Sequence, residues 1–374
     1  MMSERVVVLG AGYAGLAAAK LAARWTGAQV TLVNERDRFV QRVRLHQLAA
    51  GQSERRLPLR DLLAGTGVEL VVGRAEAIDL GAREVRVGDR ALPYDRLVYA
   101  LGSGVDPGST PGVAEHAHSV VDAESAERLH RALSGGGSGA PTGRRSVVVV
   151  GGGLTGVETA AELAEAGHSV ALLSAGALGA GLSPKAVRHL HRAFARLGVR
   201  VREGCRVESV DERGVRVDGV REAADAVVWT AGFRVPPLAR ESGLAVDASG
   251  RLLVDGAMRS TSHPEVIGVG DAAAMRRADG QEMRMACATA GPNAQRAIRA
   301  LAEELAGAEP TPTRFRYAGQ CVSLGRRDAV LQFVHPDDTP RDLVLTGRAA
   351  ALAKEAIIAY TVAFQRRPTL PSGA

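Results

Sequence analysis

Apolar positions along the chain gather into short β-branched runs, each closed by glycines and followed by an alanine-rich stretch. The first, RVVVLGAGYAGLAAAKLA at 5–22, reads as a strand, a glycine turn and a helix. The segment SVVVVGGGLTGVETAAEL at 146–163 repeats that order. Each copy is followed by a second strand, AQVTLV at 28–33 and HSVALL at 168–173, with the same spacing to within a residue. Farther on, YDRLVYALGS (94–103) is echoed by ADAVVWTAGF (224–233). Three landmarks recurring in one order mark an internal duplication of an α/β unit. Near the C-terminus, RAAALAKEAIIAYTVAFQRRP (348–368) is helical by pattern, with Lys354, Thr361 and Gln365 on one stripe and most of the remainder apolar. A membrane surface, a dimer interface or a packed core helix each explains that apolar face, and Arg348, Arg366 and Arg367 suit an anionic surface.

The glycine turns carry the first chemistry. In a chain with 44 glycines a lone GxGxxG decides little. Here both matches end a strand and open a helix, where a dinucleotide needs them. Gly10 and Gly151 permit the tight turn, Gly12 and Gly153 keep side chains away from a pyrophosphate, and Gly15 and Gly156 let helix and strand pack closely. Free N–H groups at each helix N-terminus then face the diphosphate.

With these turns, the paired YALG and WTAG strands, and VIGVGDAA at 266–273, the chain resembles the FAD-dependent pyridine nucleotide oxidoreductases. Within them it is most similar to the branch of type II NADH:quinone dehydrogenases and apoptosis-inducing-factor-like proteins. The resemblance implies two Rossmann-like dinucleotide-binding domains and a small C-terminal region. It places a discontinuous FAD domain at 1–125 and 247–310, an inserted NAD(P)H domain at 143–246, and an interface region with its terminal helix at 311–374. The stretch SGGGSGAPTGRRS (134–146) reads as a flexible entry loop.

By the same resemblance the FAD contacts are Gly10, Gly12, Tyr13, Ala14, Gly15, Ala75, Ala100, Gly102, Asp271, Thr289 and Ala290. Arg44 is near a family arginine, in a stretch whose alignment can slip by one or two residues. Asp271 is implied to bind the ribityl chain; a strand-end cap of the next helix is its plainer role. The NAD(P)H contacts are Gly151, Gly153, Leu154, Thr155, Gly156, Glu158, Ser174 and Gly232. Glu158 either approaches the nicotinamide or is a solvated helix residue. Asn34 or Glu35 fills the slot for the adenosine hydroxyls of FAD, whereas Ser174 fills it in the second unit without a carboxylate or a basic neighbour. NADH is slightly favoured over NADPH on that ground.

The helix after MACATAGPNAQRAIRAL (285–301) should aim its N-terminus at the flavin, with Thr289, Ala290 and Gly291 as ring-facing backbone. Quinone-reducing relatives carry Ala-Gln-x-Ala there, whereas this chain has ATAGPNAQ, so the acceptor pocket is expected to differ. Cys321 belongs to a strand near the acceptor side and reads first as a structural thiol.

Composition narrows the remaining classes. The 374 residues suit two or three domains, and 46% hydrophobic content is that of an ordinary globular chain. A net charge of +6 raises nucleic-acid binding, but no basic cluster with interleaved aromatics supports it, and none is expected. Cys205, Cys287 and Cys321 are widely spaced and form no CxxC pair, so no disulfide framework, thiol relay or metal site is expected. The chain enters its first strand without a charged-then-apolar leader, and no apolar run reaches the ~18 residues a spanning helix needs. A cytoplasmic protein, or one peripheral on the inner face of the membrane, is expected. The leading function is an FAD-dependent oxidoreductase passing electrons from NAD(P)H to a quinone-like acceptor. A flavoenzyme acting on a small metabolite and an NAD(P)H-responsive flavin-binding partner protein are the alternatives.

Overall fold

The computed structural model describes residues 3–106, 108, 110–135, 143–277, 279–311 and 315–372. The glycine-rich entry loop read at 134–146 falls, for 136–142, outside the described residues. Strand β1 (Arg5–Leu9) runs through the first glycine turn into α1 (Tyr13–Thr26) and on to β2 (Gln29–Asn34). β3 (Glu69–Val72) and β4 (Arg96–Tyr99) join them in a parallel sheet. Val6, Val8 and Leu9 are wholly buried, because helices cover one face of this sheet and a small antiparallel sheet covers the other. A continuous apolar run, rather than an alternating one, is what a strand covered on both faces requires.

The chain then builds a second sheet. It begins with β5 (Ala117–His118) and α2 (Ala123–Leu133), whose first turn is capped by the Asp122 carboxylate accepting from Ser125 N–H. There follow β6 (Ser146–Val150), α3 (Leu154–Glu165) and β7 (Ser169–Leu173). Next come α4 (Pro184–Leu197), β8 (Arg200–Arg202) and β9 (Ala226–Trp229). Ser183 caps α4, Pro184 starts it, and left-handed Gly198 ends it. β10 (Val266–Gly268) returns to the first sheet.

The strand orders are β10-β4-β1-β2-β3 and β5-β9-β6-β7-β8, so the four strands after the leading one correspond pair by pair. Register corresponds too: Leu9 lies opposite Tyr99 as Val150 lies opposite Trp229. Each unit also carries a three-stranded antiparallel meander, at 77–93 between β3 and β4 and at 207–223 between β8 and β9.

Helix α5 (Cys287–Leu305) packs along α1. The C-terminal region is an antiparallel sheet of β11 (Gly319–Ser323), β12 (Ala329–Val334) and β13 (Pro340–Thr346), followed by α6 (Gly347–Arg366). The polar stripe of α6 faces inward, with Lys354 and Gln365 buried. Its outward face is the apolar one, and Leu352 is 72% exposed. Among the described residues no helix is long and apolar enough to cross a membrane.

Candidate active site

Two cradles of matching shape lie at the C-terminal ends of β1 and β6. Gly10 and Gly151 turn the chain in left-handed conformations, and each passes close to the strand that follows the meander. A side chain at Gly10 would strike the Ala100 carbonyl at 2.6 Å, and one at Gly151 the Thr230 hydroxyl at 2.6 Å. Gly15 and Gly156 are tighter still, at 1.8 Å and 1.9 Å from the carbonyl oxygens of Gly10 and Gly151. Gly12 and Gly153 differ. Nothing lies within 4 Å of a β-carbon at either, so both open onto free space at the first turn of α1 and of α3. Neither helix start is capped by a side chain, so its N–H groups are free for an anion. The residues present fit a dinucleotide diphosphate at both places. Gly102 and Gly232 repeat a further left-handed turn after β4 and β9.

The residues around the first cradle divide in use. Tyr13 and Ala14 are buried at the start of α1, Tyr13 stacked edge-on against Phe39 at 5.1 Å. The Asn34 amide is engaged by the protein: its oxygen accepts from Ala11 N–H at 2.8 Å and its nitrogen donates to the Arg36 carbonyl at 2.7 Å. Glu35 is exposed and, among the described residues, pairs with neighbouring Arg36, so of the two it has the carboxylate available to ribose hydroxyls. Ala75 is half-buried beyond β3. Asp271 accepts from the Ser103 hydroxyl at 2.8 Å through Oδ2, and Arg42 lies 3.7 Å from the same oxygen. Arg44, two residues along, points elsewhere and pairs with Glu355 of α6 at 2.6 Å.

In the second cradle Leu154 and Thr155 open α3, and buried Ser174 closes in on the turn, its hydroxyl 2.2 Å from where a Gly152 side chain would sit. Glu158, one turn into α3, is not solvated. Its Oε1 receives the Lys354 ammonium, the Ser323 N–H at 3.0 Å and the Ser323 hydroxyl at 3.2 Å. Lys354 also donates to the Ser323 hydroxyl at 2.9 Å, and His46 lies 3.7 Å from the other Glu158 oxygen. Burial would raise the Glu158 carboxyl, but Lys354, seconded by His46, overrides it and holds the group below the usual carboxylate range. Burial pushes the His46 imidazole down to about 4 against the pull of Glu158. A second ionic layer lies beside this one: Arg326 joins Glu162 of α3 at 3.2 Å to Glu355 of α6 at 2.8 Å. Together these groups lock α3 to the C-terminal helix.

At α5 the residues Thr289, Ala290 and Gly291 are buried on the inward face. Thr289 is fully buried, its hydroxyl donating to the Ala286 carbonyl at 2.7 Å, and Gly291 faces the Phe364 ring of α6. Cys287 and Ala288 occupy the open end of the helix. Pro292 sits inside the helix, and Asn293 behind it is buried. Desolvation by the protein around this open end pushes the Cys287 thiol up to about 11, with Cys321 adding to the shift, and burial raises Cys321 as well. Two cysteines far apart in sequence thus share one neighbourhood, both protonated at neutral pH.

Arg42, His46 and Ser323 carry no local signal, because each acquires its role from a partner far along the chain. Lys354 had one: it is a rare lysine, set on a polar stripe of an otherwise apolar helix.

Comparison with known proteins agrees with this geometry. A family model described as pyridine nucleotide-disulphide oxidoreductase matches residues 4–299. The chain is 34% identical over 379 residues to an NADH dehydrogenase-like protein of Mycobacterium tuberculosis, covering 94% of this chain and 92% of that one. It is 27% identical over 379 residues to a demethylphylloquinone reductase of Synechocystis, covering 95% and 91%. Among solved structures, NDH2 from Plasmodium falciparum in complex with NADH superposes with a TM-score of 0.83 at 15% identity, covering 98% of this chain and 96% of the other.

Proposed function

Because the chain belongs to the pyridine nucleotide-disulphide oxidoreductase family, and is thereby an NAD(P)H-dependent flavoprotein oxidoreductase, we propose that it carries electrons from NADH to a quinone-like acceptor. The observation that carries this reading is the pair of matched cradles, each with one glycine open to solvent above an uncapped helix start. We assign FAD to the first, within 1–125 and 247–310, and the nicotinamide nucleotide to the second, within 143–246. To residues 311–374 we assign the interface region.

Bound flavin and nicotinamide supply the hydride transfer themselves. The chain holds and orients them. The first N–H groups of α1 and α3 receive the two diphosphates. Asp271, one oxygen already taken by Ser103, offers the other to a sugar-alcohol hydroxyl, and Arg42 balances its charge. Arg42, rather than Arg44, is therefore our choice for the arginine of this site. Glu35 takes the adenosine ribose. Glu158 and Lys354 tie the second cradle to α6. At Ser174 there is no carboxylate for a ribose and no guanidinium for a 2′-phosphate, and the choice of NADH rests on the missing cation. Desolvation favours the thiol form of Cys287 and of Cys321. The quinone assignment draws on the demethylphylloquinone reductase likeness.

The test is an anaerobic titration of the FAD-loaded chain with NADH and then NADPH, followed by steady-state turnover with a quinone analogue, ferricyanide and oxygen. NADH should bleach the flavin faster than NADPH, and the quinone should sustain turnover. Bleaching without quinone turnover removes the acceptor assignment; equal bleaching by both nucleotides removes the donor assignment.

A further inference from the structure

Away from both cradles, a cleft of about 760 Å³ lies between the far end of α1, the 55–66 segment and the end of α6. Lys20, Arg24, Arg55, Arg56, Arg366 and Arg367 line it, and Asp61 is its one carboxylate. Leaving out buried Lys20, five guanidiniums against one acid leave an excess of four on a chain whose whole net charge is +6. Arginines elsewhere are widely paired, as Arg5 is with Asp95, Arg96 with Glu304 and Arg251 with Asp247. Among the described residues, none of the five cleft guanidiniums has an acidic partner, and Asp61 turns to Arg60 at 3.9 Å.

The negative end of α6 does not offset them. Buried Lys20 donates to the carbonyls of Gln365 at 2.9 Å and Arg366 at 2.7 Å, and so neutralises the helix end within the protein. Crowded like charges repel, and an anion placed among them relieves that cost. The guanidinium fork suits phosphate in particular. The cleft also has a continuation. A groove of about 490 Å³ shares Arg55, Leu57 and Arg366 with it and runs along Ala359, Val362 and Ala363 of α6. The α6 wall of this groove, with Leu57, is apolar, while Gln41, Arg44 and Ser53 edge it, so a cationic chamber opening onto one apolar wall matches a molecule with a charged head and an apolar body.

We infer that this cleft binds the phosphate-bearing head of an anionic amphiphile, whose apolar part lies in the groove beside α6. The site is separate from both cradles, so it stands whether or not the quinone assignment does.

The FAD-loaded full chain is tested against phosphatidylcholine vesicles, the same vesicles containing phosphatidic acid, and inorganic pyrophosphate. An R55Q/R56Q/R367Q variant is compared with an R86Q/R213Q/R216Q variant that removes equal charge elsewhere. Both should keep the wild-type flavin spectrum, melting temperature and NADH oxidation. Wild type should prefer the phosphatidic acid vesicles, and the cleft variant alone should lose affinity on the order of 100-fold. Saturable pyrophosphate binding lost in the cleft variant, without vesicle preference, would keep the phosphate site and assign it to a soluble ligand, overturning the amphiphile. No binding of either probe, or equal loss in both variants, overturns the site itself.

Discussion

Lys354 and Glu158 face each other with side chains only 7% and 14% exposed, so neither charge has water to fall back on. Removing one partner leaves the other stranded. Lys354→Met should therefore cost about 3–5 kcal/mol of stability. The double variant K354M/E158Q should recover much of that loss, because no uncompensated charge is left. Thermal melts of the two singles and the double measure the coupling, and additive losses would mean the pair does not hold α3 to α6. His46 gives the same region a pH signature. Its folded-state pKa, about 4, is below the ordinary 6.5, so the unfolded chain binds a proton first as pH falls. Stability from this group is complete above about 6.5 and declines toward 4, by about 3 kcal/mol in all. Melting temperature should fall across that window in wild type and fall less in His46→Gln.

At the scale of the element, the strand–turn–helix unit separates glycines that build the fold from glycines that face a ligand. A β-carbon at Gly15 would sit 1.8 Å from a backbone oxygen, and helix and strand would have to part to admit it. Gly15→Ala and Gly156→Ala should each lose at least ~1–3 kcal/mol by overpacking. Gly12 and Gly153 adopt backbone conformations any residue accepts, and a side chain there meets nothing. Gly12→Val should melt like wild type stripped of FAD yet fail to retain the flavin. Gly153→Val should keep its flavin and lose rapid reduction by NADH. Absorbance and stopped-flow traces on the two proteins decide it; identical behaviour would mean the two cradles are not divided between the two nucleotides. The spacing alone separates the six glycines into turn, open and close-packed positions; the distances, such as 1.8 Å from a Gly15 β-carbon to the Gly10 carbonyl oxygen and 2.6 Å from one at Gly10 to that of Ala100, come from the structure.

Over the whole molecule, the C-terminal region is fastened at several points to helices far back along the chain. Lys20 reaches from α1 to the last carbonyls of α6, and Gln295 of α5 donates to the Leu370 carbonyl at 2.8 Å. Lys20→Met would leave those carbonyls without their cation and loosen the end of α6 before the two sheets respond. Limited proteolysis should then cut near Arg366 and Arg367 in the variant well before wild type, with flavin absorbance unchanged. Simultaneous loss of flavin would show the helix end to be part of the FAD seat instead.

What the amino-acid order determined by itself is the repeating unit: apolar β-branched strands, glycine turns and alanine-rich helices, because those depend on contacts within a few residues. It also carried Asp271, through a motif at a strand end. Tertiary structure alone decided the rest. Arg44 aligned with a ligand position, yet a short helical turn swings it to Glu355 and presents Arg42 to Asp271. Asn34 is consumed by the turn it follows, leaving Glu35. Glu158, open between a ligand role and a solvated one, is bound into a network with His46, Ser323 and Lys354. The polar stripe of α6 faces inward because these buried partners are there to receive it. Pairing, burial and charge compensation are properties of residues distant in the chain and adjacent in space, and sequence periodicity carries no record of that adjacency.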